Sequence, residues 1–277
     1  MNFPAKILLF GEYTVIRGGA ALALPYPEHS GRWGAGAPVH DWNPLLRFVQ
    51  TCPELLDVTA LELDIARGHG FLSDIPQGKG LGSSGALVAA LYRAYGCNVP
   101  TDLEGVRDRL ARLEACYHGQ SSGVDPLVSW VARPLLLRGQ EAPVLVDLPI
   151  GDWTSSGRWF LLDSGVARHS APLIAVYRRK LEDEAFQGRI RALAGIVEEL
   201  VAAYRQFDEA HVGIGMEELS RLQLDVFQEM IPAELRTLWE RGLEERQFAL
   251  KLCGAGGGGF FLGYRLRGDL PVGAVRF

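Results

Sequence analysis

The chain has 277 residues and is 48% hydrophobic, so it can bury the core of one large domain or of two closely joined domains. Its formal charge is −5 with acidic and basic residues interspersed, which excludes the basic patch of a nucleic-acid-binding protein and the basic face of a membrane-surface protein. Its apolar runs are too short for a signal peptide or a membrane span, and its four scattered cysteines favour reduced thiols. We therefore expect a cytoplasmic protein without nucleic-acid or membrane partners.

The first half of the chain combines short strand patterns with two helical patterns. In chain order it predicts strands at 5–10, 13–16, 20–24 and 58–65, then helices at 84–95 and 101–118. Thr101 and Glu104 have the spacing of a capping box, which places the start of the second helix. Between these elements, 25–70 shows no other clear pattern apart from a helical turn at 45–49.

The second half is mainly helical between two groups of strands. In chain order it predicts strands at 134–137, 144–148 and 158–163, helices at 171–187, 189–206, 215–230 and 233–246, then strands at 248–253, 260–266 and 272–277. Pro232 suits the first turn of the last helix. The change to a helical pattern after about residue 165 predicts a domain boundary in that region.

Glycine is in excess, with 33 residues, and nine of them fall in two short blocks at 78–85 and 254–259. Apolar sequence with secondary-structure patterns flanks both blocks, so a flexible linker explains them poorly. Glycine concentrated in this way indicates backbone that closely approaches a ligand or another segment of the chain.

The first block lies in Pro-Gln-Gly-Lys-Gly-Leu-Gly-Ser-Ser-Gly-Ala at 76–86, directly before a predicted helix. Triphosphate oxygens need several converging donors, and the amides of a glycine-rich turn and a helix N-terminus can supply them. The segment is neither a Walker A loop nor a dinucleotide fingerprint, and an ordinary turn with a serine N-cap stays open on these residues alone. The candidate phosphate-binding residues are Gly78, Lys79, Gly80, Leu81, Gly82, Ser83, Ser84 and Gly85.

Three segments, in the same order along the chain, resemble the motifs of the GHMP kinase superfamily. Residues 76–86 are similar to its central motif, Pro-Ala-Lys-Ile-Leu-Leu-Phe-Gly-Glu-Tyr from residue 4 to its first motif, and 251–259 to its third. The resemblance implies an α+β, two-domain fold, with a ribosomal-S5-like α/β domain at 1–155, a ferredoxin-like α+β domain at 156–277 and an active-site cleft between them. It also implies ATP and Mg²⁺ as cofactors and a small-molecule substrate, and it leaves a homodimer open.

Within this superfamily, the stretch that starts at Glu114 is similar to the mevalonate kinase pattern ExxxHGxPSGxD, with serine in place of the usual proline. Taken alone, Glu114 and His118 share one helical face and have the character of a solvated acid beside a helix-terminal histidine. The resemblance instead implies that Glu114 and Ser84 bind the magnesium ion and that Asp125 lies near the acceptor hydroxyl.

Lys6 matches the lysine of the first motif. The resemblance implies that it lies beside Asp125 and the acceptor hydroxyl, where it lowers the pKa of that hydroxyl or keeps the aspartate ionised. Phosphoryl transfer depends on alignment and charge neutralisation, so a cation on the phosphates and a positioned carboxylate are the expected parts. On its own, Lys6 is equally compatible with a lysine at a strand end whose stem is buried. Whether Asp125 removes the hydroxyl proton or orients the hydroxyl stays open.

The second glycine block has two compatible interpretations, a turn beside the active site and a hairpin turn between two core strands. The resemblance places Gly256 on the substrate side of the site, together with Glu12, Tyr13 and His118. Gly-Glu-Tyr at 11–13 replaces the GEHTDY of galactokinases and argues against a sugar acceptor.

The same three residues are more familiar from phosphomevalonate kinases, since mevalonate kinases have GEH. The HGxxSGxD element favours the mevalonate type, as does Leu-Asp-Ser-Gly from residue 162, which is similar to the DTGxxxST stretch of that family. We expect transfer of the γ-phosphoryl group of ATP to mevalonate or a close hydroxy-acid. Phosphomevalonate kinase is the nearest alternative. A catalytically silent nucleotide-binding regulator is a further alternative, against which the intact Lys6, Ser84, Glu114 and Asp125 argue.

Overall fold

The computed structural model describes residues 1–37, 40–119, 121–139, 141–148, 157–167 and 170–276. The first half contains β1 (Phe3–Phe10), β2 (Ala20–Ala35), α1 (Asn43–Gln50), α2 (Val58–Ala66), β3 (His69–Ser73), α3 (Ser83–Tyr95), α4 (Leu103–His118), α5 (Val124–Val131), β4 (Leu135–Arg138) and β5 (Val144–Leu145). The second half contains β6 (Trp159–Asp163), α6 (Ser170–Lys180), α7 (Glu184–Arg205), α8 (Glu209–Val226), α9 (Ala233–Glu244), β7 (Phe248–Leu252), β8 (Phe260–Arg265) and β9 (Ala274–Arg276). Short 3₁₀ helices occupy Val15–Arg17 and Gln228–Met230.

The first sheet has the strand order β1-β2-β4-β5, and the far end of β2 also pairs with β3. Side chains of β2 alternate between its two faces, as the two-residue period of a strand requires. Ala21 and Ala23 pack into the core formed with α1 to α5, whereas Leu22 and Leu24 pack into the core shared with the second half of the chain. The first sheet is therefore covered on both faces.

The second sheet has the order β7-β8-β6-β9, and its described strand pairs are antiparallel, like those of the first. Helix α7 packs against β1 and β2, and α8 and α9 pack against β7.

The expected α+β class is confirmed, with one sheet in each half. The division after residue 155 falls outside the described residues and stays a prediction. No helix in the described part of the chain is long and apolar enough to span a bilayer.

Two strand predictions are wrong. Residues 58–65 form most of helix α2, because the Asp57 side chain caps that helix by accepting a hydrogen bond from the amide of Ala60 at 3.0 Å. The alternating pattern suggested a strand with one buried face, but Leu61 is the one fully buried residue of this helix. Residues 13–16 enter a 3₁₀ turn instead of a strand, and this turn ends at Gly18 in the left-handed region.

The helices 84–95 and 233–246 and the strands 248–253 and 260–266 are confirmed, each with small shifts at its ends. Three helix starts were misplaced. Helix α8 spans Glu209–Val226, so it begins and ends earlier than the predicted 215–230. Asp102 caps α4 in place of the expected Thr101, and Asp183 caps α7, so the break between α6 and α7 comes earlier than predicted. Strand β3, helix α5 and the far part of β2 had no prediction.

Candidate active site

The first glycine block forms a loop that ends at the N-terminus of α3. Gly78, Gly80 and Gly82 have φ angles of 69°, 90° and 74°, a region that glycine adopts far more easily than other residues. Gly82 is the N-cap residue, and no described side chain caps this helix. The ordinary turn with a serine N-cap is therefore wrong. The first amides of α3 point out of the N-terminus of the helix, which is the geometry by which helix termini bind anions.

Two of these glycines bring α3 unusually close to β1 and α5. A Cβ atom at Gly82 would lie 2.8 Å from Cγ of Lys6, and one at Gly85 would lie 2.8 Å from the backbone nitrogen of Pro126 and 3.0 Å from Cβ of Asp125. A side chain at either position would push the three elements apart. The loop is also tied to β1 directly, because the amide of Lys6 donates to the carbonyl of Leu81 at 2.9 Å.

Lys6 and Asp125 form an ion pair at this junction, with Nζ 2.9 Å from Oδ1. The lysine side chain is 3% exposed, whereas that of Asp125 is 34% exposed. Asp125 lies in the first turn of α5, where a carboxylate interacts favourably with the helix dipole. Ser129 fixes the same helix to β1 by donating to the carbonyl of Pro4 at 2.8 Å. The arrangement thus offers a positioned carboxylate that is open to a substrate and backed by a buried cation.

Glu114 lies beside this pair with its side chain buried. Ser84 donates to one of its carboxylate oxygens at 3.2 Å and Ser121 to the other at 2.5 Å. Burial raises the pKa of Glu114 to about 7, with a further contribution from the negative charge of Asp125. The hydrogen bonds from Ser121 and Ser84 and the charge of Lys6 lower the pKa of Glu114, but by less than burial and Asp125 raise it. The ionised form of Glu114 is therefore poorly stabilised by its surroundings.

A magnesium ion fits this local chemistry. The carboxylate of Glu114 and the hydroxyl of Ser84 are hard oxygen donors at the N-terminus of α3, and the raised pKa marks a carboxylate that an added cation would stabilise. In the described ranges, no cluster of three or more His, Cys, Asp or Glu side chains forms a metal cage. Magnesium commonly binds through one or two protein oxygens, with phosphate and water completing its shell, so these two residues suffice.

The buried charge of Glu114 has a cost in stability that can be measured. Between about pH 4.5 and pH 7 the native protein keeps a proton here that the unfolded chain loses, so the contribution of this group to stability falls as the pH rises through that window. Glu114→Gln cannot ionise. Without metal or nucleotide, we expect it to be more stable than wild type near pH 8, by up to about 3 kcal/mol, with a smaller difference near pH 5.

Urea unfolding at the two pH values measures this difference. Glu104→Gln, an exposed glutamate on the same helix, is the matched control and should show no gain at the higher pH. A Glu114→Gln protein that is less stable than wild type near pH 8 would contradict the account of this charge.

The second glycine block is the turn between β7 and β8, and it lies against the first block. A Cβ atom at Gly259 would be 2.8 Å from the backbone of Lys79, and the amide of Phe260 donates to the carbonyl of Lys79 at 3.0 Å. Gly256 packs in the same way against the carbonyl of Met230. Both expected interpretations hold, since the segment is a hairpin turn and also borders the candidate phosphate loop.

Glu12 and Tyr13 point into the protein interior. Glu12 forms a fully buried ion pair with Lys251, 2.5 Å between Oε1 and Nζ, and its other oxygen has no partner among the described residues. The Tyr13 hydroxyl donates to the carbonyl of Ala255 at 2.7 Å, and its ring lies 4.7 Å from that of Tyr177. These side chains attach the first motif to the second glycine block, and their expected contact with substrate stays a prediction.

The remaining site residues fall around the same junction. Ser83 is the first residue of α3, and His118 is the last residue of α4. Residues 168 and 169 of the stretch that starts at Leu162 lie outside the described residues. The sequence reasoning did not assign roles to Lys251 and Asp163. A lone lysine inside the apolar run Phe-Ala-Leu-Lys-Leu was a signal that a buried carboxylate partner exists elsewhere.

Comparisons with known proteins agree with the motif resemblance. Residues 52–132 match the family model described as GHMP kinases N terminal domain. The chain is 24% identical over 301 residues to a mevalonate kinase of Archaeoglobus fulgidus, an alignment that covers 98% of this chain and 93% of that protein. A mevalonate kinase of Pyrococcus abyssi is 25% identical over 298 residues, covering 92% and 85%.

Solved structures share the fold over almost the whole chain. The complex of L. major mevalonate kinase with R-mevalonate has a TM-score of 0.64 at 19% identity, covering 96% of this chain and 86% of that one. Streptococcus pneumoniae phosphomevalonate kinase in complex with phosphomevalonate and AMPPNP has a TM-score of 0.67 at 16% identity, covering 97% and 92%. The resemblance to the GHMP kinases and the expected two-domain α+β fold are thereby confirmed.

Proposed function

Residues 52–132 match the model of the GHMP kinase N-terminal domain and the chain shares the fold of solved mevalonate and phosphomevalonate kinases, and on that premise we propose that it is an ATP-dependent kinase for mevalonate or a close hydroxy-acid. The observation that carries the proposal is the Lys6–Asp125 pair, 2.9 Å long, at the N-terminus of α3 beside Ser84 and Glu114. A phosphate loop, a metal-binding pair and an acceptor-side carboxylate are the parts that phosphoryl transfer requires.

On the nucleotide side, the backbone amides of 78–85 and the first turn of α3 bind the phosphates, with Ser83 adding a hydroxyl. Ser84 and Glu114 would hold a magnesium ion, and such an ion would supply charge neutralisation for the phosphates. Glu114 suits this role because a bound cation would stabilise the ionised form of its buried carboxylate, whose pKa is otherwise raised.

On the acceptor side, the open oxygen of Asp125 accepts a hydrogen bond from the acceptor hydroxyl and aims it at the γ-phosphorus. The hydroxyl oxygen forms the new bond to phosphorus, and the bond from phosphorus to the bridging oxygen of the β-phosphate breaks, releasing ADP. The hydroxyl proton leaves either to the Asp125 carboxylate or to the transferred phosphoryl group. The ammonium of Lys6 fixes the position of the Asp125 carboxylate through their ion pair and favours negative charge on the attacking oxygen.

The acceptor is the open part of the proposal. Relatives named mevalonate kinase align over almost the whole chain, while Tyr13 gives the sequence the Gly-Glu-Tyr more familiar from phosphomevalonate kinases. With its ring packed inside and its hydroxyl bound to Ala255, Tyr13 contributes little polar surface to an acceptor. We therefore keep mevalonate first and phosphomevalonate second.

A coupled assay of ADP release with Mg²⁺-ATP tests this choice against mevalonate, phosphomevalonate, homoserine and galactose. We expect mevalonate to stimulate ADP release most strongly. A clear preference for phosphomevalonate would transfer the assignment to that kinase, and no stimulation by any of the four would favour the silent nucleotide-binding regulator.

Asp125→Asn tests the acceptor-side role. The amide keeps the shape of the side chain but cannot take or strongly polarise the hydroxyl proton, so kcat should fall by roughly 10²–10⁴-fold while the Kd of Mg²⁺-ATP changes only a few-fold. Asp108→Asn, an exposed aspartate on α4, is the control and should keep wild-type kinetics. Near-normal turnover in Asp125→Asn would rule out the role given to this carboxylate.

Ser84→Ala tests the nucleotide side. Loss of the hydroxyl beside Glu114 removes one oxygen donor from the metal pair, so we expect the KM for Mg²⁺-ATP to rise on the order of tenfold with the acceptor KM little changed. Initial rates with each substrate varied in turn measure the two constants. A change confined to the acceptor KM would place Ser84 on the other side of the site.

A further inference from the structure

Lys79 is directed away from the N-terminus of α3 and towards the second sheet. Its Nζ lies 2.7 Å from both carboxylate oxygens of Asp163, the last residue of β6. Asp163 is held by its own strand end, because Oδ1 also accepts a hydrogen bond from the amide of Gly165 at 3.0 Å. The lysine in the middle of the candidate phosphate loop is therefore already occupied by a preoriented carboxylate from the other half of the chain.

The backbone of the same residue is held by the neighbouring strand. Phe260, the first residue of β8, donates its amide to the carbonyl of Lys79 at 3.0 Å, and Gly259 packs directly on the Lys79 backbone. Asp163 and Phe260 are opposite each other in the β6–β8 pair. Side chain and main chain of Lys79 thus meet two facing positions of the second sheet.

The loop is rich in glycine on both sides of Lys79. Gly78 and Gly80 flank Lys79 in left-handed conformations, and a Cβ atom at Gly78 would meet nothing within 4 Å. The next tie along the loop is the hydrogen bond from Lys6 to Leu81. Glycines have the largest conformational freedom to lose, so a loop of this composition is ordered only where something holds it.

We propose that Asp163 is a positioning residue for the nucleotide, which clamps the phosphate loop through Lys79 to the second sheet and so preorganises the loop amides for the triphosphate. The proposal rests on the proposed kinase function and adds a residue from the second half to its nucleotide site. A loop ordered in advance loses less conformational entropy when the ligand binds, so the clamp acts on affinity more than on the chemical step.

The competing role for Lys79 is direct contact with phosphate. In that case Asp163 competes with the ligand for the ammonium, and removing the carboxylate charge strengthens nucleotide binding. If Asp163 instead clamps the loop through Lys79, removing the carboxylate charge weakens nucleotide binding. The sign of the effect of Asp163→Asn therefore separates the two.

The first measurement is the Kd of Mg²⁺-AMPPNP by calorimetry, together with kcat at saturating Mg²⁺-ATP. We expect Asp163→Asn and Lys79→Met each to weaken AMPPNP binding about five- to tenfold, with kcat of Asp163→Asn changed at most about twofold. The charge-exchanged double variant Lys79→Glu/Asp163→Lys should return the Kd to within about threefold of wild type. Asp225→Asn, which breaks an ion pair with Arg189 between α7 and α8, is the control and should leave the Kd unchanged.

The second measurement is hydrogen exchange of the amides of 77–82 in the nucleotide-free protein. We expect faster exchange in Asp163→Asn than in wild type and recovery in the double variant. Unchanged exchange, or an Asp163→Asn protein that binds AMPPNP as tightly as wild type or more tightly, would overturn the clamp. A wild-type protein that binds no AMPPNP would contradict the kinase assignment and the effect on affinity, whereas the exchange result still decides whether Asp163 orders the loop.

Discussion

The close approach of α3 to β1 and α5 is the constraint on which the site depends. Gly82 leaves room for the stem of Lys6, and Gly85 allows the backbone of α5 to lie against the first turn of α3. As a result, the N-terminal amides of α3, a buried lysine and a partly exposed aspartate meet in one small volume. Larger side chains at these two positions would separate the anion-binding end of α3 from the carboxylate that faces the acceptor.

A second feature is that both halves of the chain build the site. The Glu12–Lys251 pair is completely buried, and removing either partner would leave an uncompensated charge, which typically costs about 3–5 kcal/mol. Tyr13 reinforces this joint with its hydrogen bond to Ala255. At the other edge, Lys79 joins the phosphate loop to β6 and β8. The position of the loop relative to the acceptor carboxylate is thus set by contacts between the two sheets.

Much of the site could be predicted because its signals are local. A glycine-rich segment before an apolar helix predicts the loop and the start of α3, whereas the meeting of Lys6 and Asp125 was implied only by the resemblance to the GHMP kinases. The secondary structure was harder to predict where local sequence patterns conflicted. Residues 58–65 alternate like a strand, and only the cap at Asp57 indicates the helix. The pairings of Glu12 with Lys251 and of Lys79 with Asp163 join residues far apart in the chain, so no local pattern contains them.

The most direct test of this account is the turnover of Gly85→Ala. A methyl group there would lie 2.8 Å from the backbone of α5 and force that helix, with Asp125, away from α3. A displacement of this kind, below about 1 Å, can cost on the order of 100-fold in rate. We predict a folded protein whose kcat falls by about that factor while α3 still binds Mg²⁺-AMPPNP. Wild-type turnover in a folded Gly85→Ala protein would contradict the claim that this close approach creates the site.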